Sequence, residues 1–234
     1  MRLKAILVLL AALAFAGSPL LNPGFGGYDP SQFPTEMMDP PVLPAGYAFS
    51  IWGVIYLWLI VMAGYGLWRR IEDTGWDATR WPLIVSLGIG AVWLPVAAVS
   101  PLWATILIWA MLLSALVALL RAPRRDRWLL GAPIGLYAGW LSAAACVSLG
   151  VLLTGYGVPP FDATGWAIVL LSLALCIGVA ILRARPWATF GLAIVWALIA
   201  VLVRNGFDLV GLFAVSAAVV IGALTVLPSR GKLI

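Results

Sequence analysis

The chain has 234 residues, of which 64% are hydrophobic and only 10% are charged, and its net charge is +5. Soluble domains carry about 25% charged and about 45–50% apolar residues, so this composition excludes a soluble fold and predicts that lipid surrounds most of the chain. The positive charge does not indicate nucleic acid binding, because the basic residues lie between apolar runs, where membrane topology explains them.

The apolar residues form continuous runs that are long enough to cross a membrane as helices, which takes about 17–25 residues each. Continuous runs favour helices, because membrane strands alternate between apolar and polar residues. The sequence therefore predicts an all-α integral membrane bundle of about eight transmembrane helices. The predicted runs are Ala5–Leu21, Ala45–Leu67, Trp81–Val99, Leu102–Leu120, Trp128–Leu153, Trp166–Leu182, Trp187–Val203 and Leu209–Leu227.

The basic residues are distributed asymmetrically between the two ends of these runs. If the N-terminus is inside, all 14 lysines and arginines except Arg204 fall in inner segments, including Arg230 and Lys232 after the last run. Short cytoplasmic loops are enriched in Lys and Arg. We therefore expect a multi-pass membrane protein with both termini in the cytoplasm.

The first run has two interpretations. Met1–Lys4 is basic, and Ala14–Ala16 resembles the small-residue cleavage site of a signal peptide, whose removal would leave seven helices. The apolar stretch continues to Leu21, which favours a retained helix. Both interpretations are kept here.

The longest outer segment, Asn22–Pro44, is rich in glycine and proline, and its charged residues are Asp29, Glu36 and Asp39. It is too long for a simple connection between helices. A disordered connector and a lid over a cavity are equally compatible with this composition.

The interior of the runs holds no charged residue, and the chain has no histidine. Proton-coupled transporters use ionisable groups inside the membrane, and catalytic zinc and histidine-ligated haem need histidine. Cys146 and Cys176 lie in apolar runs and predict neither a disulfide nor a metal site. We therefore expect no enzyme, no metal and no required cofactor.

Two runs carry aromatic residues on one helical face. Phe49, Trp52 and Tyr56 are spaced i, i+3 and i+7 on the second run, and Tyr137 and Trp140 are spaced i and i+3 on the fifth. Such faces are typical of ordinary helix packing, which the spacing alone favours, and they could also wall a cavity for a flat apolar ligand.

The fifth run also carries a stripe of small residues, Gly131, Gly135, Gly139 and Ala143. Small residues at this spacing let two helix backbones approach closely in lipid. The stripe predicts close packing within one bundle, or the interface of a homodimer.

The stretch PAGYAFSIWGVIY over residues 44–56 resembles a signature of the tryptophan-rich sensory proteins. These are longer bacterial relatives of the TspO/MBR family, the translocator or peripheral benzodiazepine receptor group. Weaker matches follow. Gly90 and Trp93 fill an Asn-x-x-Trp element, and Tyr137 and Trp140 match a Tyr-x-x-Trp element, with Ser148 where the family has a further asparagine.

The resemblance implies a five-helix core over residues 1–153 and a three-helix membrane extension over residues 154–234. It implies a binding or sensory protein of a bacterial inner membrane, for a planar apolar ligand such as a porphyrin, a tetrapyrrole. The alternative is a facilitative transporter or exporter of small apolar molecules, and an enzyme acting on lipid is a third class that the lack of buried charge disfavours. The residues expected to wall the pocket are Tyr47, Phe49, Trp52, Tyr56, Trp93, Tyr137 and Trp140.

Overall fold

A computed structural model describes residues 1–23, 27–35 and 39–227. Within these ranges the chain forms eight long helices and no strand, and all eight are long and apolar enough to cross a membrane. The predicted all-α membrane bundle is therefore confirmed. The helices are α1 Arg2–Leu21, α2 Ile51–Arg69, α3 Thr74–Val99, α4 Pro101–Arg121, α5 Gly131–Gly155, α6 Ala163–Ala184, α7 Ala188–Asn205 and α8 Leu209–Val226.

Helix α3 begins at Thr74, well before the predicted start at Trp81. The side chain of Asp73 caps it by accepting hydrogen bonds from the backbone N–H groups of Gly75 and Trp76 at 2.9 and 3.2 Å. The first turns of α3 therefore contain the charged residues Asp77 and Arg80, which lie before the predicted run Trp81–Val99. The helix also continues through Pro95 to Val99, so this proline does not end it early.

Helix α5 lies at the centre of the bundle. Buried residues make up 72% of its membrane-spanning window, the highest share among the eight candidate spans of the described chain. It packs against α2 and α4 on one side and against α6 and α7 on the other. The predicted core and extension therefore share α5 as an interface, and the division between residues 1–153 and 154–234 stays a prediction.

The small-residue stripe of α5 faces α7. A Cβ atom added at Gly139 would lie 2.2 Å from the backbone oxygen of Phe190, and one added at Gly131 would lie 2.2 Å from the ring of Trp187. The stripe therefore packs within one bundle, the first of the two interpretations, and is not free to form a homodimer interface. Trp187, which directly precedes α7, is a packing residue against α5.

Ion pairs tie α1 to α3 at the basic end of the bundle. The Lys4 ammonium lies 2.5 Å from a carboxylate oxygen of Asp77, and the other oxygen of Asp77 lies 3.1 Å from Arg80. The Arg80 guanidinium is almost completely buried, and it also donates to the carbonyl oxygens of Met1, Ile71 and Arg70 at 3.2, 2.8 and 2.7 Å. A buried charge is tolerated here because its donors are paired.

A second group of ion pairs joins the α2–α3 connection to the α4–α5 connection. Arg70 donates to both carboxylate oxygens of Asp126 at 2.7 and 3.0 Å, and the indole N–H of Trp76 donates to the same carboxylate at 3.0 Å. The hydrogen bonds from Arg70 hold the pKa of Asp126 below its ordinary value. Asp73 is paired in the same way with Arg125. The segments predicted to face the cytoplasm therefore meet at one end of the bundle.

Membrane orientation can be tested with reporter fusions, because helices that alternate in direction place successive connections on opposite sides. We expect cytoplasmic signals after Arg70, Arg125 and Arg185, and external signals near Asp39 and Asp162. Fusions near Arg204 should also read external, and a fusion after Ile234, which lies outside the described residues, should read cytoplasmic. An external signal from the last fusion would contradict the orientation.

Candidate functional site

Five of the predicted pocket residues bring their rings together between the start of α2 and the middle of α5. Trp52 stacks on Tyr56 with ring centroids 5.2 Å apart and an interplanar angle of 17°. Trp52 also lies 6.1 Å from Trp140 and 6.5 Å from Tyr137, and Phe49 lies 5.9 Å from Trp140. We call these five residues, together with Phe15 of α1, the ring cluster.

Phe15 is a member of the ring cluster that the sequence did not predict. Its centroid lies 5.0 Å from Tyr56, 5.5 Å from Trp52 and 5.9 Å from Tyr137, each in an edge-on arrangement. Edge-to-face pairs at these distances are favourable beyond the burial of their surface. Phe15 is the only aromatic residue of α1, so no periodic pattern on its own helix could have identified it.

The space that Phe15 occupies is created by Gly90 of α3. A Cβ atom added at Gly90 would lie 2.7 Å from the Phe15 ring. The resemblance places an asparagine of the family at this position, and its side chain would collide with Phe15 as it is placed here. Gly90 therefore provides the space that the Phe15 ring fills.

The two polar groups that α5 contributes to the ring cluster differ in their hydrogen bonding. The fully buried hydroxyl of Tyr137 donates to Ser86 Oγ at 2.9 Å, and Ser86 donates to the carbonyl of Met111 at 2.8 Å. The indole N–H of Trp140 is buried and has no hydrogen-bond partner among the residues that the structure describes. Buried donors are rarely left unpaired in folded proteins. Trp140 therefore presents an unused donor inside the ring cluster.

The remaining predicted residues, Trp93 and Tyr47, have partners on other helices. The indole N–H of Trp93 donates to the carbonyl of Ala104 at 2.8 Å, which joins α3 to α4. The ring of Tyr47 packs edge-on against Trp196 of α7 at 5.4 Å. Tyr47 is half-exposed, so it lies at the edge of the region where the other predicted rings meet.

Helix α7 holds the segment that leads into α2. The indole N–H of Trp196 donates to the carbonyl of Ala48 at 3.0 Å, and the backbone N–H of Ala45 donates to the carbonyl of Ala200 at 2.9 Å. Residues Gly46–Ser50 form a 3-10 helix, so Phe49 precedes α2 rather than lying on it. The extension therefore positions the start of the segment that carries the family-like signature.

The long outer segment docks onto the opposite end of the bundle from the ion pairs. The hydroxyl oxygen of Tyr28 lies 2.8 Å from Ser148 Oγ on α5, which in turn lies 2.8 Å from Thr105 Oγ1 on α4. Burial raises the pKa of the Tyr28 hydroxyl, which therefore stays neutral at physiological pH. Ser148 stands where the resemblance expects an asparagine, and it keeps a polar contact at that position.

Further contacts fix the rest of this segment. The Phe33 ring covers Gly155, where an added Cβ atom would lie 2.4 Å from the ring, and buried Val42 covers Gly150 at 3.1 Å. Asp39 forms an ion pair with Arg204. The described residues 27–35 and 39–44 therefore pack against the bundle, and a lid over a cavity stays a prediction. Glu36 lies outside the described residues.

Comparison with known families covers nearly the whole chain. A family model described as TSPO-like protein matches residues 5–227. The chain belongs to the TSPO-like family. The match runs from α1 to the end of α8, so it includes both the predicted core and the predicted extension. No curated protein and no solved structure matches the chain.

Membership in the TSPO-like family confirms the resemblance read from residues 44–56 at the level of the family. Together with the eight candidate spans, it identifies an integral, multi-pass membrane protein in contact with the lipid bilayer. Assignment to the longer, tryptophan-rich sensory type stays a prediction, as does the bacterial inner membrane.

Proposed function

We propose that this TSPO-like protein is a membrane ligand-binding or sensory protein whose ring cluster binds a planar apolar molecule such as a porphyrin. The observation that carries the proposal is the meeting of Trp52, Tyr56, Tyr137 and Trp140 from two helices. The indole N–H of Trp140 has no hydrogen-bond partner in the described part of the chain. The proposed role is binding rather than catalysis.

The chemistry of the ring cluster selects for a flat and uncharged ligand surface. Its walls are aromatic faces and edges, which favour stacked and edge-on contacts with another π-system. Its polar groups are hydroxyl and indole donors, with the Trp140 N–H available for one ligand acceptor. A charged group buried here would lack a partner and cost several kcal/mol, on the order of an unpaired buried ion. Porphyrin carboxylates must therefore point out of the cluster.

The site as it stands is closed. Phe15 lies between Trp52, Tyr56 and Tyr137 with centroid distances of 5.0–5.9 Å, which is the spacing of rings in direct contact. A macrocycle fits only when these rings separate. Binding therefore selects an open form of the bundle in which Phe15 has left its position.

The test is quenching of tryptophan fluorescence by a metal-free porphyrin, titrated against detergent-purified protein. We expect saturable binding, and affinity similar to that of the iron form because the chain has no histidine to ligate iron. Trp52→Ala and Trp140→Ala should each weaken binding several-fold, because an aromatic pair contributes about 0.5–1.5 kcal/mol beyond area burial and about 1.4 kcal/mol is a factor of ten.

Trp103→Ala is the matched control, because Trp103 is 60% exposed in the first turn of α4 and its loss removes one fluorophore from outside the cluster. Its affinity should equal that of the parent. Unchanged affinity in both Trp52→Ala and Trp140→Ala would remove the ring cluster as the site. The absence of saturable binding by the parent would contradict the porphyrin hypothesis itself.

A further inference from the structure

A groove separates α1 from α2 at the basic end of the bundle, far from the ring cluster. Its volume is about 450 Å³. The residues that line it are Arg2, Ile6, Gly64, Leu67, Trp68 and Ile71.

The residues that line the groove are apolar except for Arg2, and Gly64 leaves the groove open where a side chain would otherwise fill it. A Cβ atom added at Gly64 would have no heavy atom within 4 Å, so the missing side chain leaves open space between the two helices. Trp68 is 72% exposed and forms one wall. Indole rings at this level of a membrane protein lie beside lipid headgroups. The groove therefore has room for an acyl chain and a wall suited to the headgroup region.

The rim of the groove carries the positive charge of Arg2. Arg2 is exposed and forms no ion pair within the described residues, and the Arg69 guanidinium lies 3.9 Å above the Trp68 ring. The nearby carboxylates of Asp73 and Asp77 are already paired with Arg125, Lys4 and Arg80. Exposed Glu72 is adjacent to Ile71 in the chain and is the acidic residue that opposes this charge.

We propose that this groove binds one anionic glycerophospholipid, with its phosphate at Arg2 and an acyl chain along Ile6, Gly64 and Leu67. The positive rim matches the phosphate, and the apolar floor matches the chain. A free phosphate would use the rim and leave the floor empty, so the combination indicates a lipid. The proposal uses none of the ring-cluster residues and does not depend on porphyrin binding.

Native mass spectrometry of the full chain released from detergent tests this proposal. The probes are phosphatidylglycerol and phosphatidylcholine with identical acyl chains, titrated separately. We expect one phosphatidylglycerol per chain to be retained in preference to phosphatidylcholine. Arg2→Gln should weaken its binding about fivefold, the effect of one basic residue beside an anionic lipid surface. Gly64→Leu should weaken it at least as much by filling the groove.

Two control variants separate this site from general charge and general surface effects. Arg183→Gln removes an exposed basic residue from the α6 terminus, and Gly222→Leu adds a side chain at a glycine of α8 that also has open space around it. Both should bind like the parent. Equal retention of phosphatidylcholine would overturn the proposal. The proposal would also be overturned if Arg183→Gln weakened phosphatidylglycerol binding as much as Arg2→Gln, or if Arg2→Gln and Gly64→Leu both bound it like the parent. Displacement of the lipid by soluble glycerol phosphate would overturn it as well.

Discussion

Gly139→Leu is expected to lower the melting temperature of the detergent-purified protein strongly, and more than Gly135→Leu does. An added Cβ atom at Gly139 meets the backbone oxygen of Phe190 at 2.2 Å, and no rotamer change can move that oxygen. At Gly135 the nearest atom is Thr189 Oγ1 at 2.6 Å, the end of a side chain that can rotate. Overpacking costs about 1–3 kcal/mol and occasionally more, and Gly139→Leu should lie at the upper end.

Gly88→Leu is the matched control for this pair, because an added Cβ atom there has no heavy atom within 4 Å. Its melting temperature should stay at the parent value, since leucine is a better helix former than glycine. Melting of Gly139→Leu at the parent temperature would contradict the close approach of α5 and α7. A graded series, with Gly139→Ala between the parent and Gly139→Leu, would support it.

Arg80→Met is expected to destabilise the bundle by about 3 kcal/mol or more, because it removes the donor to several buried acceptors at once. Arg80 is 3% exposed and donates to the carbonyls of Ile71 and Arg70 as well as to Asp77. Methionine keeps much of the volume, so lost hydrogen bonds rather than a cavity would cause the change. The measurement is again thermal unfolding in detergent.

Arg121→Met controls for the loss of one positive charge at the same end, because Arg121 is exposed in the last turn of α4 and forms no ion pair in the described part of the chain. This variant should unfold like the parent. If Arg80→Met also unfolds like the parent, the buried guanidinium contributes nothing to holding α1 and the α2–α3 connection onto α3.

The spans could be predicted because hydrophobic length alone decides whether a helix crosses a membrane. The start of α3 could not be predicted in this way, because Asp77 and Arg80 interrupt the apolar run. These residues are accommodated in the helix because Asp77 pairs with Arg80 at 3.1 Å and also with Lys4, 73 residues earlier in the chain, at 2.5 Å. The composition of the neighbouring sequence cannot indicate a partner that is so distant in the chain.

The sequence could predict those parts of the candidate site in which aromatic residues share one face of the same helix. Trp52 and Tyr56 share a face of α2, and Tyr137 and Trp140 share a face of α5, so each pair was visible in its own helix. Phe15 was not visible, because its role depends on the gap left by Gly90 on another helix. Spacing also could not show that Tyr47 packs on Trp196, since that contact depends on where α7 lies.

The hydrogen bond from Trp196 to Ala48 has a consequence for biosynthesis, because its two residues are 148 positions apart in the chain. A ribosome that adds about 5–20 residues per second completes α7 roughly 7–30 seconds after the start of α2 has been made. During that interval the 3-10 turn at Gly46–Ser50 is in the membrane without its anchor. The segment Gly46–Ser50 is therefore synthesised well before α7, the helix that fixes its position.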